Sequence, residues 1–137
     1  MELELTLEHN LKVVAINLSN HPSNKWSQEQ RDALYSIATE GYAPHVASQI
    51  VDIHFPMVPP EASKEDVTKL AQKVLKKLNK YNYKHIMIQG EHTLTHMLVN
   101  ELLAQGKVPV AATTARIAVE KDGIKTSEFK FVRFREY

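Results

Sequence analysis

Two clusters of polar residues follow apolar runs in this chain: Ser19, Asn20, His21, Ser23, Asn24 and Lys25, and then Gln89, Gly90, Glu91, His92, Thr93 and Thr95. Hydroxyls, amides, imidazoles and a lysine at this density are suited to an anionic ligand, and they exceed the needs of a connection of roughly two to six residues. Gly90 is expected to let a ligand approach the backbone closely. A helix starting near Thr93 would aim free amides and its positive dipole end at the same place, which is a phosphate-binding geometry. Thr113, Thr114 and Arg116 add a third polar group after a later strand. The competing explanation is local: serines, threonines and asparagines satisfy turn backbones with their own side chains.

Among seven histidines, His21 is the candidate for proton transfer. It precedes Pro22, which favours an extended backbone, and imidazole is the side-chain type suited to serve as a general acid or base for phosphoryl chemistry. His92 and His96 share a helix face beside Glu91, but the order is not H-E-x-x-H and no third ligand presents itself, so no metal and no cofactor are expected. His54 and His85 read as structural. Trp26 could stack on a base, although anchoring the first helix as a hydrophobic staple is its ordinary role. With four glycines the chain holds neither G-x-G-x-x-G nor a Walker-type loop.

The elements that must position these residues follow from hydrophobic period. Leu3, Leu5 and Leu7 alternate with polar residues as in a half-buried strand, and Glu8-His9-Asn10 would turn it. Leu11–Leu18 is too continuously apolar for a strand wet on one face, and reads as central. Ser27 and Gln30 form a capping-box pattern for a helix over 27–40 that Gly41 would stop. A strand over 50–55 ends at the prolines of 56–60. Ser63 caps an amphipathic helix with the stripe Val67, Leu70, Ala71, Val74, Leu75 and Leu78, whose lysines read as a solvated face rather than a nucleic-acid patch. Strands over 84–89 and 108–112 flank a helix over 93–105 closed by Gly106. Asp122-Gly123 then signals a hairpin between 116–121 and 124–137.

This alternation predicts a single Rossmann-like three-layer α/β domain over residues 1–137, with a mostly parallel sheet and a C-terminal β-hairpin. With strand order 2-1-3-4, the switch point falls between the first and third strands, where the first two polar clusters meet. The composition narrows the class. No cysteine is present, so disulfides, zinc ribbons, iron–sulfur clusters and a cysteine nucleophile are excluded, and a cytoplasmic protein is expected. No apolar run approaches the ~20 residues of a membrane span, and the acidic, alternating start is unlike a signal peptide. Seventeen basic against sixteen acidic residues leave a net charge of +1, so no global field recruits duplex nucleic acid or a membrane. An anion must be held by local geometry.

A strand ending in a polar Ser/Asn/His loop, the Gly-x-x-Thr-x-Thr-x-Met pattern of Gly90 to Met97, and a terminal hairpin together resemble the CRISPR-associated Rossmann-fold (CARF-like) domains. Within these the chain looks like the small stand-alone members of type III systems, some of them ring nucleases. The resemblance implies a homodimer that binds a cyclic oligoadenylate and cuts it without metal, the ribose 2′-hydroxyl attacking the neighbouring phosphate. Where such binding loops often carry a glycine pair and a lysine, this chain has Gly90-Glu91-His92. The resemblance implies His21, His92 and Arg116 as catalytic candidates. Ser19, Asn20, Lys25, Gln89, Gly90, Glu91, Thr93, Thr95, Thr113 and Thr114 become the ligand-binding set. Two other classes fit the same residues: a sensor that binds the nucleotide without cutting it, and a structural subunit using the aromatic end Phe129, Phe131, Phe134 and Tyr137, although covering the sheet is the commoner use of such phenylalanines.

Overall fold

The structure, a computed structural model, describes residues 13–39 and 49–137. The strand expected over Leu3–Leu7, its turn at residues 8–10 and the stop at Gly41 lie outside the described residues. Within them the elements run β1 (Val14–Ser19), α1 (Gln28–Thr39), β2 (Ile50–His54), α2 (Lys64–Leu78), β3 (Tyr83–Ile88), α3 (His92–Ala104), β4 (Val108–Lys121) and β5 (Ile124–Glu136).

The five strands form one sheet in the order β2-β1-β3-β4-β5. β1 pairs in parallel with β2 and β3, β3 in parallel with β4, and only β4 and β5 are antiparallel. The apolar run that marked β1 as central is explained by helices on both sides. Ile16, Leu18, Ile86 and Ile88 face one core with Phe55 and the inner faces of α2 and α3, while Ala15, Met87 and Val110 face α1 through Trp26, Leu34 and Ala38.

The helices begin and end where side chains satisfy their backbone. Ser63 Oγ accepts from the Asp66 N–H and the Asp66 carboxylate accepts from the Ser63 N–H, a closed capping box before α2. The stripe Val67, Ala71, Val74 and Leu78 is buried, with Leu70 and Leu75 packed beside it, and the lysines on the opposite face are exposed. Ser27 Oγ accepts from the Gln30 N–H before α1. After α3, Gly106 takes φ +78°, which lets the Lys107 N–H reach the Leu102 carbonyl.

One boundary differs from the expectation. The strand over 108–112 and the first arm of the hairpin, from Arg116, are a single element, β4, so Thr113 and Thr114 stand in a strand and not in a loop. β-branched threonines suit a pleated strand, and β5 pairs with β4 along its whole length. Only Val108–Val110 also pair with β3, which leaves the remainder of β4 and β5 as a two-stranded ribbon among the described residues. Asp122 and Gly123 both take positive φ, 55° and 78°, as a tight two-residue turn requires.

Candidate functional site

The carboxyl ends of β1, β2 and β3 meet at one edge, where Ser19 pairs with His54 and Leu18 with Ile88. The segment after β1 is held there by Asp52, a carboxylate between Ile50-Val51 and Ile53 of β2. Its carboxylate accepts from Asn17 Nδ2 (3.0 Å), the Ser23 N–H (3.2 Å) and Ser23 Oγ (3.0 Å). Asn17 is buried and its amide also donates to the His21 carbonyl at 2.9 Å. Ser19 Oγ donates to Asn17 Oδ1 at 2.7 Å, and the Trp26 indole N–H donates to the His21 carbonyl at 3.0 Å. Arg31 closes the far side on the carbonyls of Ser23 and Trp26. Ser19 is therefore a buried structural hydroxyl, whereas Asn20, His21 and Lys25 are exposed.

Two clefts open on either side of this edge, and they divide the expected site residues. The first, of about 430 Å³, is lined by His21, Lys25, Gln30, Gln89 and Thr114, with Trp26, Met87, Phe129 and Phe131 as its apolar wall. The second, of about 360 Å³, is lined by Gln89, Gly90, His92, Thr95, His96 and Tyr137. Gln89 belongs to both. Its N–H donates to the Leu18 carbonyl, and its side-chain amide lies against the Ala112 backbone, which bridges β3 to β4 beyond their last ladder bond.

The second cleft differs in detail from the phosphate cradle expected there. Glu91 is the N-cap of α3: its carboxylate accepts from the N–H groups of Thr93 (3.0 Å) and Leu94 (2.8 Å) and from Thr93 Oγ1. A carboxylate of the chain itself thus occupies the helix start. The Leu94 N–H, then that of Thr93, holds the Glu91 carboxyl below its ordinary range. Gly90 has a packing explanation, since a Cβ there would lie 2.5 Å from the Phe55 ring. Thr95 Oγ1 is buried and meets no hydrogen-bond partner among the described residues. His96 Nε2 lies 3.1 Å from Asn100 Nδ2. The Tyr137 hydroxyl reaches back to the Ile88 carbonyl, and burial raises its pKa.

Thr113 and Arg116 are engaged on the ribbon. Thr113 Oγ1 donates to the Arg133 carbonyl at 2.9 Å and accepts from its N–H at 3.3 Å, filling the irregularity where β5 carries one extra residue, Val132, opposite the Thr113–Thr114 step. Arg116 Nε donates to Ser127 Oγ at 3.0 Å, one same-face step outward from Thr114. Trp26 is buried against Leu34, Ala38 and Val110 and lies 6.1 Å from the Phe134 ring, so it anchors the first helix while its edge borders the first cleft. No three His, Asp or Glu side chains come together to hold a metal ion among the described residues. No helix there is long and apolar enough to cross a membrane.

The sequence reasoning missed Asp52. The available signal was a carboxylate interrupting Ile50-Val51 and Ile53, one strand away from the polar loop it organises.

Comparison with known proteins places the chain among relatives without adding a ligand. No solved structure matches. A protein of Methanocaldococcus jannaschii described as "Uncharacterized protein MJ1673" is 39% identical over 57 residues, which are 39% of this chain and 44% of that protein. The matched segment therefore spans less than half of the relative's length. The family model described as "Uncharacterized protein MJ1673 family" matches residues 13–135, nearly all of this sheet and its helices, and the chain belongs to that family.

Proposed function

We propose that the chain binds a nucleotide at the carboxyl edge of its sheet, specifically a cyclic oligoadenylate, and opens the ring by 2′-hydroxyl attack as a metal-independent phosphodiesterase. In this proposal it works in the cytoplasm as a homodimer, in antiviral signalling of the type III CRISPR kind. The observation that carries it is the first cleft, where an exposed imidazole (His21), an ammonium group (Lys25) and amides (Gln30, Gln89) share the lining with the exposed ring of Phe129, backed by the buried Trp26 and Phe131. Aromatic faces stack on bases, and cations answer phosphates.

In the reaction the 2′-oxygen attacks the adjacent phosphorus, the bond from phosphorus to the 5′-oxygen breaks, and the product ends in a 2′,3′-cyclic phosphate. His21 takes the 2′-hydroxyl proton and passes it on to solvent, the leaving 5′-oxygen takes a proton from water, and Lys25 or Arg116 offsets charge on the phosphate. Orientation supplies much of the acceleration, since well-placed intramolecular attack is worth about 7–11 kcal/mol. Binding without cleavage is the second reading. It is favoured by Glu91, whose carboxylate takes the α3 amides that would otherwise stabilise a phosphate.

The test is incubation with cyclic tri-, tetra- and hexa-adenylate in EDTA, followed by chromatography and thermal melting. Conversion to a linear product with a terminal cyclic phosphate supports the enzyme. A rise in melting temperature with the ring intact supports the sensor, with about 2.7 kcal/mol of stabilisation expected at a hundredfold excess over Kd. Neither change with any ring size overturns both.

A further inference from the structure

We infer that the outer edge of β5 is a self-complementary surface on which a second copy of this chain adds its own β5, antiparallel and centred on Phe129. The interface stands on the strand edge alone and does not rest on nucleotide binding.

The ribbon supplies the first argument. Beyond Val110, β4 pairs only with β5 among the described residues, and β5 has no described neighbour on its other side. A two-stranded ribbon is marginal by itself in water, whereas three or more strands with an apolar face are stable. A long unpaired edge is also a template for another strand, and an edge of this length normally carries a device against association.

The second argument is the side-chain order at the centre of β5. In an antiparallel pair about a two-fold axis through Phe129, the two Phe129 rings lie opposite one another. Glu128 of each copy then lies opposite Lys130 of the other, so the axis generates two ion pairs of the same kind. Both flanking charges are exposed, and Phe129 is 71% exposed, the largest uncovered aromatic ring of the described residues. Lys130 would by itself discourage pairing at the edge. In this register it is answered by the partner's carboxylate. Centring on Glu128 would oppose that carboxylate to itself and centring on Lys130 would oppose that ammonium group to itself, so of these three neighbouring registers only the one on Phe129 sets opposite charges together.

The geometry has a consequence for the site. Phe129 pairs with Arg116 and Phe131 with Thr114, and Phe129 and Phe131 line the first cleft. A two-fold axis normal to the sheet keeps its faces, so both first clefts open on the same side of the joined sheet with the two Phe129 rings between them.

Charge reversal tests this with side chains that are exposed. The full chain is studied by sedimentation and light scattering at micromolar concentration, as parent, as Glu128→Lys, as Lys130→Glu, as the double reversal, and as an equimolar mixture of the two single variants. A dimeric parent, at least tenfold weaker association of each single variant, and recovery in both the double variant and the mixture are expected, because those two restore opposite charges across the axis. A monomeric parent overturns the inference, including the case where residues 3–7 of the same chain cover the edge. Single variants that dimerise like the parent overturn it too, since any dimer would then use another surface. Far-ultraviolet spectra matching the parent's and a retained cooperative melting transition in the single variants, measured alongside, show that loss of association is not loss of fold, the melting temperature itself being expected to fall with the lost partner.

Discussion

Phe55 and Gly90 are matched across the carboxyl edge of the sheet: the Phe55 ring is buried where a Cβ on residue 90 would otherwise stand, 2.5 Å from three of its carbons. Gly90→Ala is therefore an overpacking change, expected to cost about 1–3 kcal/mol. Phe55→Leu should lower that cost when combined with it, giving a coupling of at least ~0.5 kcal/mol in a denaturant double-mutant cycle. Additive effects would mean that the glycine serves something other than this ring.

Glu91 links a pH dependence to the start of α3. Its folded pKa lies below the ordinary value of 4.5, so its contribution is complete above that value and is lost as pH falls through the depressed folded value. Glu91→Ala should cost about 1 kcal/mol near neutrality, the usual worth of an N-cap. The difference between parent and Glu91→Gln should shrink on acidification below pH 4.5, measured by urea titration at several pH values. A difference that stays constant to pH 3 would remove the carboxylate from this role. Removing the charge also uncovers the α3 amides, so Glu91→Gln should bind inorganic phosphate or nucleotide more tightly than the parent if those amides face the ligand.

Thr95 is the reverse case. Its hydroxyl oxygen is buried in the second cleft without a described partner, so Thr95→Val removes an unsatisfied group at nearly constant shape. Stability is expected to stay within about 0.5 kcal/mol of the parent or to rise. A loss above about 1 kcal/mol in thermal or chemical melting would show that the hydroxyl is satisfied in solution.

Asp52 organises the loop that presents His21. Asp52→Ala removes one of the two acceptors of the buried Asn17 amide and frees Ser23, with an expected cost of about 2 kcal/mol, in the range for hydrogen bonds to a charged group. Proteolysis should then cut preferentially in the segment 20–26. Equal protection of that segment in parent and variant would disconnect Asp52 from the loop.

His21 is a clean site for a catalytic test, because its carbonyl, not its ring, accepts the bonds from Asn17 and Trp26. Under the proposed cleavage reaction, His21→Ala should lower the rate ~10²–10⁴-fold with little change in affinity. His92→Ala should have the smaller effect, as His92 lines the second cleft and not the first. Cleavage at the parent rate by His21→Ala would remove the proton-transfer role, and failure to bind would make His21 a recognition residue.

The topology was legible because each strand carried its burial in its composition. The continuous apolar run of β1 required helices on both faces, and the alternation with helices left a parallel order with the switch point between β1 and β3. Local chemistry also read correctly at Ser63, at Gly106 and at Asp122-Gly123, where one or two residues dictate the backbone. What could not be read was the use of polar groups by one another. Glu91 and Thr93 look like a ligand cradle in sequence, yet they satisfy a helix start between themselves. Asp52 reaches its partners only through the pairing of β2 with β1. The unity of β4 was partly legible, since Thr113-Thr114 carries no turn signal and β-branched residues suit a strand, but the pairing that holds it in one strand comes from β5, which follows it in the chain.

The ribbon also bears on the order in which the molecule folds. Its contacts join residues close in sequence, from Lys121 with Ile124 outward, whereas β1 must find Ile50 and then Tyr83 across long intervening segments. Closing a hairpin takes about 1–10 μs, and non-local parallel pairing is slower because loop entropy is lost before contacts reward it. In pulse-labelled hydrogen exchange the amides around Asp122-Gly123 should therefore be the first to gain transient protection. Those of β1, which leads into the His21 segment, and of β2, which carries Asp52, should gain it last, so that the carboxyl edge of the sheet is completed only in the final step of folding.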